Sequence, residues 1–330
     1  MSEAVLSIRG LRTTFRTPTG VFPAVDGVDL EVGKGETLGI VGESGCGKSV
    51  TALSILRLLP EPPAAIEAGE IFFDGRDLLR LPLAELRKIR GNRVAMIFQE
   101  PMTSLNPVLT AGVQIEEVLE VHTQLNRKDR RARVIELLDL VGMPSPETTL
   151  RAYPHQLSGG MRQRIMIAMA LACHPDVLIA DEPTTALDVT IQAQILELID
   201  TLKQRFQMAV LLITHDLGVV AEWAQRIAVF YAGRVVETGP VERIFGSPRH
   251  PYTQGLLLSM PGLTSARRTP LRVIPGIVSD LIARPSGCSF RGRCARADAV
   301  CERDDPALER VGSDSSVACH HPLPEGEGRA

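Results

Sequence analysis

The sequence lacks several features that mark specialised classes of protein. Its 330 residues carry a formal net charge of −3, without the basic excess that a general nucleic-acid binder presents. No uninterrupted apolar run approaches the roughly 18 to 20 residues that span a bilayer. The N-terminus MSEAVLSIRG lacks the charged-then-apolar pattern of a secretory signal. These absences predict a cytoplasmic chain that does not bind nucleic acid.

Cysteine is scarce through most of the chain and concentrated at its end. Two of the six cysteines precede residue 288, and the other four are Cys288, Cys294, Cys301 and Cys319. A reducing cytoplasm disfavours a disulfide framework, so a metal or cluster site is the leading interpretation of these four.

The residues that are present predict an α/β fold. Hydrophobic residues make up 44% and charged residues 23% of the chain, which is ordinary for a globular protein with a buried core. Helical spacing covers residues 114–142 and 190–206. Apolar runs of buried-strand length lie at residues 38–41, 94–98, 177–180 and 210–213. The alternation predicts a parallel core with a helical insertion, and fading periodicity predicts a boundary near Ser247-Pro248.

A complete phosphate-binding loop follows the first of these strands. Its residues match G-x-x-x-x-G-K-[ST] and are Gly42, Glu43, Ser44, Gly45, Cys46, Gly47, Lys48 and Ser49. The glycines let backbone N–H groups surround a β-phosphate, Lys48 reaches the β and γ oxygens, and the Ser49 hydroxyl binds Mg²⁺. The strand before the loop argues against an ordinary glycine-rich turn, so the motif predicts binding of ATP with Mg²⁺.

Two neighbouring carboxylates end the strand at residues 177–180. Ligands of open α/β sheets gather at such strand ends. Asp181 is suited to hold Mg²⁺ through its water shell, and Glu182 can accept a proton from the attacking water. An acidic strand-to-loop transition is the alternative, and the phosphate loop in the same chain argues against it.

Residues 157–164, LSGGMRQR, predict a second anion site. Ser158 is a good N-cap, Gly159 and Gly160 allow close approach of a ligand, and an apolar helix continues through Leu171. The positive end of that helix suits a γ-phosphate, yet the chain has one phosphate loop. Part of the ATP site must therefore come from another subunit.

In this order, the motifs resemble the ATP-binding-cassette family, in which two cassettes face head to tail and share each ATP. The resemblance implies an α/β, RecA-like P-loop core with an N-terminal antiparallel β subdomain. It also implies an inserted helical subdomain at about residues 100–165. Residues 1–247 would form this nucleotide-binding domain, and residues 248–330 a small C-terminal extension with the cysteines.

The resemblance implies roles for further residues. Gln99 matches a glutamine loop that serves catalysis and binds Mg²⁺ together with Ser49 and Asp181. A lone histidine is more often structural than catalytic, but His215 in Thr214-His215-Asp216 matches the family's switch histidine. Ala186-Leu187-Asp188 matches the dimer-contacting loop. The other implied nucleotide contacts are Val50, Ser158, Gly159, Gly160, Gln163, Asp188 and, stacked on adenine, Phe15 with Phe22 as second candidate.

The sequence is similar in particular to the ATPases of oligopeptide and dipeptide importers. The residues that carry this similarity are residues 99–107, QEPMTSLNP, the segment DEPTTALDVTIQAQI, and His250-Pro251-Tyr252-Thr253. Close relatives import nickel or other small solutes, which leaves the solute open. The implied partners are a second cassette, homologous or identical, two membrane permease subunits and an extracytoplasmic solute-binding protein. The implied location is the cytoplasmic face of the cell membrane.

The spacing of the four late cysteines does not choose a metal. It lacks the C-x2-4-C pairs of common zinc sites and also the ferredoxin spacings. Residues 284–303 hold five arginines against Asp298 and Glu302, a local excess of +3 that would offset a thiolate centre of charge about −2, zinc or [4Fe–4S]. The family's matching tail is associated with iron–sulfur binding in some members. It therefore favours [4Fe–4S], with Zn²⁺ as the alternative and His320 or His321 as possible replacement ligands.

Two other classes of function compete with transport. A soluble ABC ATPase of DNA repair or translation would join two cassettes or insert coiled coils, and the chain shows neither heptads nor a basic stripe. A redox-sensing nucleotide-binding module is motivated by the cysteine tail and would lack ATP turnover even with partners present.

Overall fold

The computed structural model describes residues 4–99, 104–185, 187–260, 273–277 and 286–326. The strands are β1 Ala4–Thr17, β2 Gly20–Gly33, β3 Thr37–Val41, β4 Ala64–Phe73, β5 Arg76–Asp77, β6 Val94–Ile97, β7 Val177–Asp181, β8 Ala209–Ile213, β9 Arg226–Tyr231, β10 Arg234–Pro240, β11 Glu309–Val311 and β12 Ser315–Val317. The α-helices are α1 Lys48–Ile55, α2 Leu83–Ile89, α3 Ala111–His122, α4 Arg127–Leu140, α5 Pro146–Thr149, α6 Gly159–Leu171, α7 Val189–Phe206, α8 Leu217–Trp223, α9 Val241–Gly246, α10 Pro251–Leu258 and α11 Ala299–Arg303.

Internal contacts divide the chain into two compact units. The first unit holds Met1–Leu6, Val32–Glu36 and Phe72–Ile213, and the second holds Ser7–Glu31, Thr37–Ile71 and Thr214–Ala330. This division does not fall at Ser247-Pro248, so the boundary expected there stays a prediction.

The first unit contains a parallel sheet and the helical insertion. Strand β7 pairs in parallel with β6 on one side and with β8 on the other. Every residue of β7 and β8 is buried, which explains their continuous apolar sequence. The predicted helical stretch at 114–142 forms two helices, α3 and α4, because Asn126 caps a new helix by accepting a hydrogen bond from the backbone N–H of Asp129 at 3.1 Å.

The second unit contains a mixed sheet in the order β11-β12-β10-β9-β3. Strands β3 and β9 are parallel, whereas β9 with β10, β10 with β12 and β12 with β11 are antiparallel. Residues 309–317, inside the predicted extension, thus add two strands beside β10. Strands β2, β1 and β4 lie side by side in a separate sheet.

The apolar core of the second unit is rich in aromatic residues. Tyr231, Tyr252 and Phe290 are buried together, with ring centroids 4.7 to 5.4 Å apart. Such edge-on and tilted pairs stabilise a core beyond the area that they bury.

Across the described part of the chain, no helix combines the length and apolar character that crossing a membrane requires.

Candidate functional site

The phosphate loop connects β3 to α1 and has a backbone that requires glycine. Gly42 and Gly47 adopt φ angles of 151° and 103°. A Cβ atom at Gly42 would lie 2.3 Å from the Phe230 carbonyl oxygen, and one at Gly47 would lie 2.4 Å from that of Ala24. Neither position can accept a side chain without moving backbone, so the glycines fix the close approach that a cradle of N–H groups needs.

Lys48 lies inside the loop. Its ammonium donates to the carbonyl oxygens of Gly42 at 2.8 Å and Glu43 at 3.0 Å, and the residue is 5% exposed. A buried ammonium requires hydrogen-bond acceptors around it, and these two carbonyls supply them. Cys46 packs beside it, and burial raises the pKa of the Cys46 thiol, so the thiol stays neutral.

Glu43 has contacts that the motif did not predict. Its backbone N–H donates to the Tyr252 hydroxyl at 3.1 Å, and its carboxylate accepts two hydrogen bonds from Arg293 at 2.7 and 2.9 Å. Arg293 lies 250 residues further along the chain and belongs to no recognisable nucleotide motif, so the sequence held no signal for it.

In the first unit, the structure brings Gln99 and Glu182 together. The Gln99 side-chain amide donates to Glu182 Oε2 at 2.9 Å, and the Thr185 hydroxyl donates to the same oxygen at 2.9 Å. Asp181, at the end of β7, is 3% exposed. Glu182 has a φ of 46°, a left-handed conformation that costs roughly 1 to 3 kcal/mol and is found at functional sites. Sequence reasoning missed the contact between Thr185 and Glu182.

The residues of the predicted second anion site also lie in the first unit. Ser158 caps α6 by accepting a hydrogen bond from the backbone N–H of Met161 at 3.3 Å, as predicted. A Cβ atom at Gly160 would lie 2.9 Å from Ile191 in α7, so glycine permits this packing. Asp188 caps α7 through the N–H of Ile191. Gln163 is fully buried, and its role as a nucleotide contact stays a prediction, as do those of Ser158 and Asp188.

The remaining nucleotide-site candidates lie in the second unit. His215 is exposed and stands immediately before Asp216, which caps α8. Phe15 and Phe22 stack on each other, with centroids 5.8 Å apart and planes 18° apart, so both candidates for adenine stacking share one surface of β1 and β2. Ala186 and residues 100–103 of the importer motif lie outside the described residues.

The four late cysteines line one small cavity, the thiol cavity, together with His250, Phe290, His320 and His321. All four are free thiols. Burial, and secondarily the neighbouring thiols, raises the pKa of Cys319 to about 11 and also raises that of Cys288. A metal that bound here would displace protons from these thiols.

A second group of potential ligands overlaps the thiol cavity. Among the described residues, Asp298, Cys301 and His321 form a group whose ligand atoms all lie within 4.8 Å of one another, and the four sulfurs do not form such a group. His321 Nε2 lies 2.9 Å from Asp298 Oδ2. Arg284, part of the predicted arginine excess, lies outside the described residues.

A phosphate loop after a buried parallel strand, with a carboxylate pair ending another, defines a nucleotide-binding protein of the P-loop class. Comparison with known proteins then gives the family. Residues 25–185 match the ABC transporter family model, and residues 236–301 match that of the oligopeptide/dipeptide transporter C-terminal region.

Whole-chain similarity agrees with both matches. The chain is 53% identical over 318 residues to a probable peptide ABC transporter ATP-binding protein of Sinorhizobium fredii, covering 96% of this chain and 95% of that protein. It is 50% identical over 320 residues to the dipeptide transport ATP-binding protein DppD of Escherichia coli, covering 97% of each. A solved dimeric ATP-binding cassette in a post-hydrolysis state with ADP and Pi superposes with a TM-score of 0.65 at 30% identity, covering 72% of this chain and 98% of that chain.

This chain belongs to the ATP-binding proteins of ABC transporters. The predicted resemblance and the predicted P-loop α/β fold class are both confirmed.

Proposed function

We propose that this chain is the ATP-hydrolysing subunit of an importer for di- or oligopeptides. The observation that carries the proposal is the presence on one chain of the cassette and the oligopeptide/dipeptide C-terminal region. The relatives above carry peptide or dipeptide transport in their names. The proposed partners are a second cassette, two permease subunits and a solute-binding protein, with this subunit on the cytoplasmic face of the membrane.

The residues of the phosphate loop fit ATP and Mg²⁺. The cradle geometry of Gly42 and Gly47 and the enclosed Lys48 ammonium suit the β- and γ-phosphates. Ser49, Asp181 and Gln99 would hold Mg²⁺, which when bound neutralises charge on the phosphates. Glu182 takes the proton of the attacking water. Gln99 and Thr185 hold the Glu182 carboxylate in place.

ATP binding would drive two cassettes together, with the Ser158 signature of each reaching the γ-phosphate held by the other. Loss of the γ-phosphate on hydrolysis removes the contact that favoured closure, so the pair reopens. The permease subunits would follow these two states.

Solute uptake tests the proposal. In cells that lack the gene for this chain, the wild-type gene should restore uptake of a labelled dipeptide and of a labelled pentapeptide, whereas Glu182→Gln should not. The matched control is Glu197→Gln, which alters an exposed glutamate of α7. Restored nickel uptake without peptide uptake would replace peptide by nickel as the solute. A chain that stays in the soluble fraction when its permeases are present would favour a soluble ABC ATPase.

We further propose that the thiol cavity holds a [4Fe–4S] cluster. Four thiols line this one cavity, and a [4Fe–4S] cluster takes four thiolates, one on each iron. Zinc held by Cys301, His321 and Asp298 is the alternative that the second ligand group favours.

Metal content separates these centres. Protein purified without oxygen should be brown, absorb at about 400 nm and contain iron and sulfide. Cys294→Ser should lose the colour and most of the iron, and Cys173→Ser, a thiol of the first unit, should lose neither. A colourless protein with stoichiometric zinc would overturn the cluster.

A further inference from the structure

The phosphate loop is anchored by an arginine that adjoins a thiol-cavity cysteine. Arg293 donates from Nη1 to Glu43 Oε2 at 2.7 Å and from Nη2 to Glu43 Oε1 at 2.9 Å. The Arg293 side chain is 5% exposed and that of Glu43 is 29% exposed. This two-pronged, charge-assisted geometry is the strongest and most directional form of ion pair, and lysine cannot reproduce it.

Arg293 is itself held on several sides. Its Nε donates to the Pro275 carbonyl at 3.0 Å, and Nη2 also reaches the Ile274 carbonyl at 3.4 Å. The guanidinium carbon lies 5.8 Å from the centroid of the Tyr231 ring and 6.0 Å from that of Phe290, within cation–π range. These contacts hold the guanidinium in place, and the Glu43 carboxylate binds to it there.

Three groups of Glu43 are each engaged. The carboxylate binds Arg293, the backbone N–H donates to the Tyr252 hydroxyl, and the carbonyl accepts from Lys48. Because Glu43 is the second residue of the phosphate loop, its position sets where the following N–H groups and the Lys48 ammonium lie. The Arg293 contact thus acts on the part of the loop that receives phosphate.

Arg293 also adjoins the thiol cavity. It ends the 3₁₀ turn Arg291–Arg293, and Cys294 follows directly. The backbone N–H groups of Arg293 and Cys294 donate to the carbonyls of Phe290 at 2.9 Å and Arg291 at 3.2 Å. A centre bound through Cys294 therefore restrains the same turn that carries the guanidinium.

We propose that Arg293 is a positioning residue for the phosphate loop and couples ATP binding to the state of the thiol cavity. The proposal rests on the proposed function, in that it assumes ATP at the loop and a centre bound by the cysteines. Coupling between two binding events is reciprocal, so ATP and the centre strengthen each other's binding by the same factor.

Nucleotide affinity of the full chain, purified without oxygen, tests the positioning role. Calorimetric titration with Mg·ATP should give a Kd about tenfold weaker for Arg293→Met. Glu43→Gln should weaken binding similarly, and the double variant should be no weaker than the weaker single variant, because both remove one interaction. Arg293→Lys should restore part of the affinity. The matched control is Arg310→Met, an exposed arginine of the same extension outside the arginine-rich segment, with wild-type Kd.

The link to the thiol cavity has its own test. Cys294→Ser should weaken Mg·ATP binding in the wild-type background and have no further effect in Arg293→Met. Wild-type affinity in Cys294→Ser that has lost its metal would overturn the coupling.

The melting temperature and the Kd for Mg·ATP are measured separately. A merely structural role would lower the melting temperature and leave the Kd of folded protein unchanged, which would overturn the positioning role. If Arg293→Met does not fold, Glu43→Gln decides, since that side chain is partly exposed and the substitution keeps its shape. Wild-type protein that binds Mg·ATP no better than Lys48→Ala would instead overturn the proposed function. Tight wild-type binding that both Glu43→Gln and Arg293→Met retain would overturn only this inference.

Discussion

Glu182→Gln should lower the rate of ATP hydrolysis by about 10²- to 10⁴-fold, the contribution of a positioned general base, with little change in ATP affinity. The structure explains why this substitution should leave the hydrogen bonds of the side chain intact. Gln99 and Thr185 both donate to Oε2 of Glu182, so the amide oxygen of the variant can occupy that position and keep both hydrogen bonds. The amide nitrogen then replaces Oε1, and the side chain can no longer accept a proton.

The measurement is steady-state phosphate release together with equilibrium ATP binding, made with the partner subunits present. Because hydrolysis would reopen the closed pair in the proposed cycle, the variant should also accumulate as an ATP-bound pair of cassettes in gel filtration. The control Glu197→Gln should hydrolyse ATP at the wild-type rate. Unchanged turnover in Glu182→Gln would remove Glu182 from the role of general base, and weak ATP binding would show that the substitution damaged the site.

Local patterns predicted the parts of the fold whose determinants are close in sequence. Strand β7 was predicted because residues 177–180 are a continuous apolar run, and the start of α6 because Ser158 is a capping residue followed by an apolar helical pattern. Strand β7 forms because both of its faces are buried, and α6 begins where the Ser158 side chain satisfies a backbone N–H group. Both causes act within a few residues. For the same reason the eight-residue phosphate loop could be recognised from its own spacing.

The contacts that sequence missed join residues far apart in the chain. Strand β12 pairs Val317 with Glu237 of β10, and short strands of three residues carry no periodicity that names their partner. Arg293 and Glu43 are separated by 250 residues, and nothing in the sequence around either residue identifies the other as its partner. Thr185 was missed for a different reason, since a threonine near a carboxylate is too common to predict a hydrogen bond.

Lys48→Ala should weaken binding of Mg·ATP by about 10- to 100-fold, because hydrogen bonds to a charged group contribute about 1.5 to 3 kcal/mol each. The Lys48 ammonium sits against the Gly42 and Glu43 carbonyls and is 5% exposed. It is thus already dehydrated and placed before nucleotide arrives, so little ordering of the side chain opposes binding. Its removal would delete the cation proposed to meet the β and γ oxygens and would take one donor from each of two loop carbonyls.

Two comparisons separate phosphate binding from loop stability in this variant. Lys34→Ala removes an exposed lysine and should retain wild-type affinity. Lys48→Ala should lose more affinity for ATP than for adenosine, measured by competition titration, because adenosine has no phosphate for the ammonium to contact. Equal losses for both ligands would mean that the loop had collapsed, and full ATP affinity in Lys48→Ala would contradict the role of Lys48. Glu43 contacts both residues, Lys48 through its carbonyl and Arg293 through its carboxylate. We expect Lys48→Ala to lose more affinity for Mg·ATP than Arg293→Met. The first substitution removes the proposed contact with phosphate, whereas the second only displaces it.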